Sequence, residues 1–252
     1  MNFGQSSSQE PTSENQTVRL DVPEIKPIVT YTLLGLTITI YLIQTASRYF
    51  LNIDWPFVLG GKINHLIIAG QFWRLITPAF LHSNIMHIGF NMYALTILGR
   101  RLERTYGHGR FLLLYLLAAF GGNVLSFVLS PTPSLGSSTG VFGLLAAEAV
   151  FIYQNRKLFG QRTRNMLSNI LMILFINLAI GLSPNTNIDN FGHLGGLLAG
   201  FLFASLGGPK WVVEGISPFL LIKDSRPKRE VWVAVAVVLV GFVVMAGIPF
   251  VS

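Results

Sequence analysis

Residues 136–143 read Gly-Ser-Ser-Thr-Gly-Val-Phe-Gly and begin an apolar segment, directly after a polar loop that contains Pro131 and Pro133. A glycine-rich turn that leads into a helix presents a small side chain together with free backbone N–H groups. Those are the groups that a serine nucleophile and an oxyanion site require. The same residues also fit a hydroxyl cap on a membrane helix followed by a face of small packing residues. The choice between the two depends on the rest of the chain.

The composition is that of a polytopic membrane protein. Of the 252 residues, 51% are hydrophobic and only 12% are charged, which is about half the charged fraction of a soluble domain. Several apolar runs reach the roughly 17–25 residues that span a bilayer. Because the chain contains no cysteine, disulfides, a thiol nucleophile and Cys-ligated metal or iron–sulfur sites are excluded.

Seven apolar spans are predicted, so the expected fold class is an all-α, polytopic transmembrane helical bundle. The spans cover residues 28–46, 80–98, 111–129, 138–154, 166–182, 191–206 and 231–250. Residues 1–26 are polar and are predicted to form a disordered cytoplasmic tail. This tail lacks the basic start and apolar core of a secretory signal.

The predicted spans divide the chain into a membrane domain and two shorter parts. The membrane domain covers residues 27–208, a basic cytoplasmic linker covers 209–230, and an additional transmembrane helix covers 231–252. The connection 47–79 inside the domain has few charges and several aromatic residues, namely Trp55, Phe57, Phe72 and Trp73. This pattern favours a loop in the bilayer interface, with an ordinary extracellular loop as the alternative.

The basic residues indicate the orientation of the chain. Of the 18 lysines and arginines, all but Arg48, Lys62 and Arg74 lie on one set of alternate connections. The positive-inside rule then places the N-terminus in the cytoplasm and the C-terminus outside. Ser138 and His193 both fall near the external ends of their spans. The net charge of +7 is therefore an orientation signal, and no nucleic-acid partner is expected.

Ionisable side chains inside apolar spans are costly and usually functional. His87 and Asn91 are four residues apart and share one helix face, whereas His82 lies five residues before His87 and points elsewhere. A metal site would need His82, His87 and His193 to converge without an obvious carboxylate. No metal or other cofactor is therefore expected.

Glycines repeat every four residues around His193, at Gly192, Gly196 and Gly200. Such a ridge of small residues permits very close helix contact. The fourth span offers a complementary set, namely Gly136, Gly140, Gly143 and Ala147. Packing the two sets together would bring Ser138 within hydrogen-bond reach of His193. A histidine there can take the serine proton and later donate it to a leaving group, or it can bond across the helices for structure alone.

No carboxylate is well placed in the sequence to orient His193. Glu148 lies roughly 15 Å of helix deeper than Ser138, and Asp189 is expected on the loop before the sixth span. A Ser–His dyad without an acid is therefore predicted. Phe142, one turn beyond Ser138, could pack on the imidazole ring and hold it instead.

With these residues assembled, the chain resembles the rhomboid intramembrane serine proteases over roughly residues 73–206. Each matching motif is weak by itself, but five in the same order are specific. In chain order they are Trp73-Arg74; His82, His87 and Asn91; Glu103, Gly107 and Phe111; Gly136-Ser137-Ser138 with Phe142-Gly143; and Gly192-His193 with Gly196 and Gly200. The resemblance implies a six-helix catalytic core, to which span seven adds one helix.

The resemblance also implies a role for each matching residue. Ser138 would be the nucleophile and His193 the general base and acid. The oxyanion hole would consist of the Ser138 backbone N–H and the side chains of His87 and Asn91. Further residues would support the site, namely His82, Phe142, Gly136, Gly192 and Gly196.

The chain departs from the family pattern on both sides of the nucleophile. Members of the family commonly have alanine before the serine and glycine after it, where this chain has Ser137 and Thr139. Spacing from Gly136 selects Ser138 among the three adjacent hydroxyl residues. Thr139 adds bulk beside the nucleophile, which could alter substrate preference or rate.

The expected function is hydrolysis of peptide bonds in or next to the transmembrane helices of membrane-protein substrates. The protein would be a multi-pass protein of a bacterial-type inner membrane, in contact with the lipid bilayer, and the sequence indicates no oligomeric state. One alternative is a catalytically silent rhomboid-like protein that binds membrane-helix clients. Another is a transporter or channel that uses the intramembrane histidines as a proton relay.

Overall fold

The structure, a computed structural model, describes residues 20–21, 25–183, 186, 188–216 and 219–250. Its helices are α1 (Ile28–Leu51), α2 (Trp55–Gly60), α3 (Asn64–Ile68), α4 (Ile85–Tyr106), α5 (His108–Leu129), α6 (Ser138–Gln154), α7 (Arg156–Phe159), α8 (Arg162–Gly181), α9 (Asn190–Gly207) and α10 (Lys228–Ala246). Short 3-10 helices cover Phe72–Leu75, Thr77–Phe80 and Ile248–Phe250. The seven predicted spans overlap the long helices α1, α4, α5, α6, α8, α9 and α10.

Four segments are long and apolar enough to cross a membrane: α1, α5, α8 and Lys228–Phe250. Helix α6 is also apolar but shorter. A mostly helical, multi-pass protein is thus confirmed. The count of seven spans and the orientation of the termini stay predictions, because helices such as α4 carry charges over part of their length.

A small sheet departs from the all-α prediction. Strands β2 (Trp211–Ile216) and β3 (Phe219–Asp224) form an antiparallel pair, in which Trp211 lies opposite Asp224. Strand β1 (Leu20–Asp21) pairs in parallel with β3. The pair β2–β3 lies inside the segment predicted as a linker, where the sequence has two apolar runs rich in strand-forming residues. The predicted disordered tail, residues 1–26, lies outside the described residues except for 20–21 and 25–26.

Helices α5, α6 and α9 pack so closely that their glycines touch neighbouring backbone. A Cβ atom added to Gly143 of α6 would overlap Ala118 of α5, and one added to Gly200 of α9 would overlap the Gly143 backbone. A Cβ on Gly195 would approach the Gly121 carbonyl oxygen to 2.5 Å. Side chains would push these helices apart, so the glycines set their separation.

Helix α10 belongs to the same core. Its Phe242 is buried and approaches Gly121 of α5, where an added Cβ would lie 3.0 Å from the phenyl ring. Its Ala234 approaches Gly207 of α9, where an added Cβ would lie 2.9 Å away. Helix α10 therefore packs against both α5 and α9.

The start of α1 is fixed by a carboxylate from α4. Glu103 is fully buried and accepts hydrogen bonds from the backbone N–H of Val29 (2.8 Å) and of Thr30 (2.7 Å). The Thr30 hydroxyl donates a third bond, also of 2.7 Å. These are N–H groups that a helix leaves unpaired at its positive end, so an acidic side chain stabilises them.

The glycine contacts predict that a Gly→Ala substitution changes stability differently at two positions. Gly200→Ala should lower stability by about 1–3 kcal/mol, because the methyl group overlaps the backbone of Gly143. Gly241→Ala in α10 is the matched control, since an added Cβ there meets nothing within 4 Å. It should leave stability unchanged or raise it by about 0.5–1 kcal/mol. Thermal unfolding of the purified variants in detergent measures both, and equal midpoints would contradict the close contact.

Candidate active site

Three helices present their N-terminal ends to the same region. Ser138 is the first residue of α6, His87 lies in the first turn of α4, and His193 lies in the first turn of α9. The side chain of Asn84 caps α4 by accepting from the His87 N–H (2.9 Å). The side chain of Asp189 caps α9 by accepting from the Gly192 N–H (2.8 Å). The positive ends of the three helix dipoles therefore meet in one region, which suits an anionic group.

Gly136 shapes the turn that precedes the serine. Its φ of 134° is a conformation that residues with a side chain rarely adopt. A Cβ atom there would also lie 2.8 Å from Cε1 and Nε2 of His87. Glycine is thus required both by the backbone and by the imidazole beside it.

The structure brings Ser138 and His193 together. Nε2 of His193 lies 2.9 Å from Oγ of Ser138, across the contact between α6 and α9. When the hydroxyl donates to this nitrogen, the imidazole carries its proton on Nδ1. The side chains therefore have the arrangement of a nucleophile and its base.

Phe142 packs on the face of the imidazole ring, as the sequence predicts. The two ring centroids are 4.0 Å apart and the planes are inclined by 13°. His193 Nδ1 is buried and has no hydrogen-bond partner among the described residues. Asp189 contacts the start of its own helix instead, and Glu148 pairs with Arg101. Among the described residues, the His193 ring is therefore held by packing against Phe142, and no carboxylate is hydrogen-bonded to it.

His87 borders the same small space as the Ser138 hydroxyl. The position of an added Gly136 Cβ is 2.8 Å from His87 Nε2 and 3.6 Å from Ser138 Oγ. His87 Nδ1 lies 3.1 Å from the Ser83 hydroxyl. When that hydroxyl donates, Nε2 carries the proton and becomes a donor directed at the site. The Ser138 N–H, in the first turn of α6, has no partner within its helix and is a second donor.

Asn91 lies on the same face of α4 as His87, but its carboxamide is engaged within the helix. Its Nδ2 donates to the His87 carbonyl oxygen at 2.9 Å. Within the described residues Asn91 forms no hydrogen bond with Ser138. An oxyanion contact from Asn91 therefore needs its second N–H or a rotation of the amide.

His82 and Ser137 form a second hydrogen-bonded pair beside the first. Nε2 of His82, which is fully buried, lies 3.0 Å from the Ser137 hydroxyl. The backbone N–H of His82 donates to Gln44 Oε1 at 2.9 Å. From the sequence, Ser137 is seen only as a departure from the family pattern, and its hydrogen bond with His82 is not predicted. Among the described residues no three His, Asp or Glu side chains lie together as a metal site would require.

Gly136, just before α6, and Gly140, within it, do not face α9, although the sequence predicts that they would. Gly140 faces the ring of Tyr115 in α5, where an added Cβ would lie 2.7 Å away. Gly136 faces His87, and only Gly143 takes part in the expected contact with α9. The helical repeat predicts which residues share a face but not which of two neighbouring helices lies there.

Thr139 points into the helix interface. An added Cβ on Gly122 of α5 would lie 2.5 Å from the Thr139 Cβ, and one on Gly192 of α9 would lie 3.2 Å from the Thr139 methyl carbon. Its side chain is buried. The extra bulk is therefore accommodated by two glycines, rather than projecting into the space beside the Ser138 hydroxyl.

Trp73 and Arg74 organise the connection 47–79. The buried Arg74 guanidinium donates to the carbonyl oxygens of Gly61 (2.8 Å) and Val58 (2.6 Å). The Trp73 indole N–H donates to the Leu59 carbonyl oxygen at 3.0 Å. Both side chains hold the C-terminal end of α2 and do not reach Ser138.

Known proteins match the chain over the region that contains these residues. A family model described as the rhomboid domain matches residues 69–210. Rhomboid protease GluP of Bacillus subtilis (strain 168) is 44% identical over 186 residues, which are 73% of this chain and 36% of the relative. RHOMBOID-like protein 6, mitochondrial, of Arabidopsis thaliana is 40% identical over 150 residues, 59% of this chain and 45% of the relative.

A further relative is Rhomboid-like protease 3 of Toxoplasma gondii. It is 37% identical over 147 residues, which are 57% of this chain and 54% of the relative. The chain thus spans about a third to a half of the length of the curated relatives that it matches. The matched family region contains Ser138, His193 and the glycines that bring them together, so the predicted resemblance is confirmed. The chain belongs to the rhomboid family.

Proposed function

We propose that this protein is an intramembrane serine endopeptidase that cleaves membrane-protein substrates in or next to their transmembrane helices. The observation that carries the proposal is the 2.9 Å contact between His193 Nε2 and Ser138 Oγ at the start of α6. Membership of a family with relatives named as proteases supports it.

The two residues would act as a dyad. His193 Nε2 accepts the proton of Ser138 as Oγ attacks the carbonyl carbon of the scissile peptide bond. The tetrahedral intermediate collapses when His193 returns that proton to the leaving amine, and an acyl group stays on Ser138. A water molecule, deprotonated by His193, then attacks the acyl carbonyl. The second tetrahedral intermediate collapses as His193 gives that proton to Ser138 Oγ, which releases the carboxylic acid product and restores both side chains.

The oxyanion of each tetrahedral intermediate would form near the helix N-termini. The Ser138 N–H and His87 Nε2 are the donors nearest to it, and Asn91 would add a third. In a site that excludes most water, one such donor contributes about 2.7–4 kcal/mol to transition-state stabilisation.

Phe142 would stabilise and orient the His193 imidazole, as a carboxylate does in a catalytic triad. The imidazole becomes a cation when it holds the serine proton, and the stacked phenyl face attracts that cation by about 0.5–2 kcal/mol. The stack also fixes the ring plane, so that Nε2 stays directed at Ser138.

The substrate would be a membrane helix that unwinds locally. The carbonyl groups of an intact transmembrane helix are occupied by internal hydrogen bonds, so attack requires a break in the helix. Small or helix-destabilising residues near the cleaved bond should therefore favour cleavage. The protein would sit in a bacterial-type inner membrane with seven spans, its N-terminus in the cytoplasm and the site near the external face.

Removal of either dyad residue should abolish turnover. Ser138→Ala and His193→Ala should each reduce cleavage of a single-span substrate in proteoliposomes to background. Fluorophosphonate labelling, followed by mapping of the modified residue, should identify Ser138. Ser168→Ala, an exposed serine of α8, is the control and should leave both readings unchanged. Cleavage retained by purified Ser138→Ala protein would overturn the proposal, and binding of clients without cleavage by the wild type would favour the silent alternative.

Loss of the Asn91 amide should slow turnover without abolishing it. Asn91→Ala should lower kcat about a hundredfold with little change in KM, because the lost donor acts mainly in the transition state. Asn177→Ala is the matched control, since Asn177 of α8 forms the same bond to the carbonyl four residues before it (2.8 Å). Unchanged kcat in Asn91→Ala would restrict the oxyanion hole to Ser138 and His87.

A further inference from the structure

The segment that delivers the serine to the site is tied to the connection 47–79. We call residues 130–137, between α5 and α6, the nucleophile loop. Lys62 and Ser134 form a two-bond antiparallel bridge, in which the Lys62 N–H donates to the Ser134 carbonyl (3.0 Å) and the Ser134 N–H donates to the Lys62 carbonyl (3.1 Å). Closer to the serine, the Gly136 N–H donates to the Pro78 carbonyl oxygen at 2.9 Å.

The side chain of Lys62 is inserted into the nucleophile loop. It is 0% exposed, and its Nζ donates to the carbonyl oxygens of Ser130 (2.7 Å) and Thr132 (2.9 Å). Lysine is almost never fully buried unless its charge is compensated. Within the described residues Lys62 forms no salt bridge, so backbone carbonyls compensate it. Burial lowers the pKa of Lys62 to about 8, opposed by the negative charge of Asp189, and the ammonium form therefore prevails at neutral pH.

The position of this ammonium group fits the end of α5. A helix leaves its last four carbonyl groups unpaired and carries partial negative charge at that end. Asn64 Nδ2 donates to the carbonyl oxygens of Phe127 and Ser130, both at 3.0 Å. Lys62 shares the Ser130 carbonyl and extends the cap to Thr132. One short segment thus closes α5 and holds the first residues after it.

The backbone just before Lys62 is held by Arg74. The carbonyl group directly before it, that of Gly61, accepts from Arg74 at 2.8 Å. Arg74 is itself buried against the end of α2. Arg74 thus holds the peptide group before Lys62, while Lys62 binds the nucleophile loop.

We propose that Lys62 is a positioning residue for Ser138, whose buried side chain fixes the nucleophile loop and so keeps the serine hydroxyl within reach of His193. The inference rests on the proposed function, since it assigns a purpose to the same nucleophile. Lys62 does not touch the substrate or the reacting atoms. Its side chain acts through the carbonyl groups of Ser130 and Thr132, eight and six positions before Ser138.

The test compares three substitutions that remove its properties in steps. Lys62→Arg keeps charge and donors, Lys62→Gln keeps a neutral donor, and Lys62→Met keeps only the length of the chain. The rate constant for fluorophosphonate labelling of Ser138 should fall in the order wild type, Arg, Gln, Met, with Met at least tenfold below the wild type. The kcat for cleavage should follow, whereas KM should change less than twofold. Lys157→Met, an exposed lysine after α6, is the matched control and should match the wild type.

An effect of the substitution on folding is distinguished from an effect on the position of Ser138 by measuring rates only on folded protein. Each variant is purified by size exclusion in detergent, its thermal midpoint is recorded, and rates are expressed per folded molecule. If Lys62→Met does not fold, Lys62→Gln carries the comparison. A folded Gln or Met variant whose Ser138 reacts at the wild-type rate would falsify the positioning role and leave the proposed function intact. A wild-type protein that neither reacts with the probe nor cleaves would overturn the proposed function itself.

Discussion

The site depends on the backbone contact between α6 and α9. At Gly196 and Gly200 the two helices meet with no side chain between them, so that Thr139 and Gly143 of α6 touch α9 directly. Only at this separation can the short side chain of Ser138 reach a histidine on the next helix at 2.9 Å. In a membrane, where burial of apolar side chains contributes little, such close packing is itself a main source of helix association. The contact between these two helices therefore also brings Ser138 and His193 together.

Helix direction adds an electrostatic element to this contact. Helices α4, α6 and α9 all start at the site. Asn84 caps α4, Asp189 caps α9, and Ser138 is the first residue of α6. Unpaired N–H groups and dipole ends thus surround one small volume in a protein interior that has few other charges. The absence, among the described residues, of a carboxylate on His193 is compatible with the proposed mechanism, since a buried acid would oppose the negative charge that would form on the substrate oxygen.

Much of this arrangement is predictable from the sequence, for physical reasons. Long apolar runs have few alternatives to helices in a bilayer, which is why six of the seven long helices are predicted close to their observed positions. The span predicted at 80–98 is displaced, since α4 covers Ile85–Tyr106 and its last turns are charged rather than apolar. The four-residue spacing of Gly192, Gly196 and Gly200 predicts a shared face, and hence the approach of His193 to Ser138. The hairpin β2–β3 is missed because positive charge in that segment suggests a linker. The partners of Ser137, Gly140 and Lys62 are missed because they come from segments far apart in the chain, and periodicity describes only neighbours.

The placement of Thr139 has a consequence for how this site can change over time. Its side chain fills the space left open by Gly122 and Gly192, two residues on different helices. A larger residue at either position would collide with the threonine, whereas a glycine in place of Thr139 would leave a void that larger residues could refill. The three positions are therefore coupled, and accepted substitutions should occur together or in a fixed order. The residue beside Ser138 is thus constrained by the packing of two neighbouring helices.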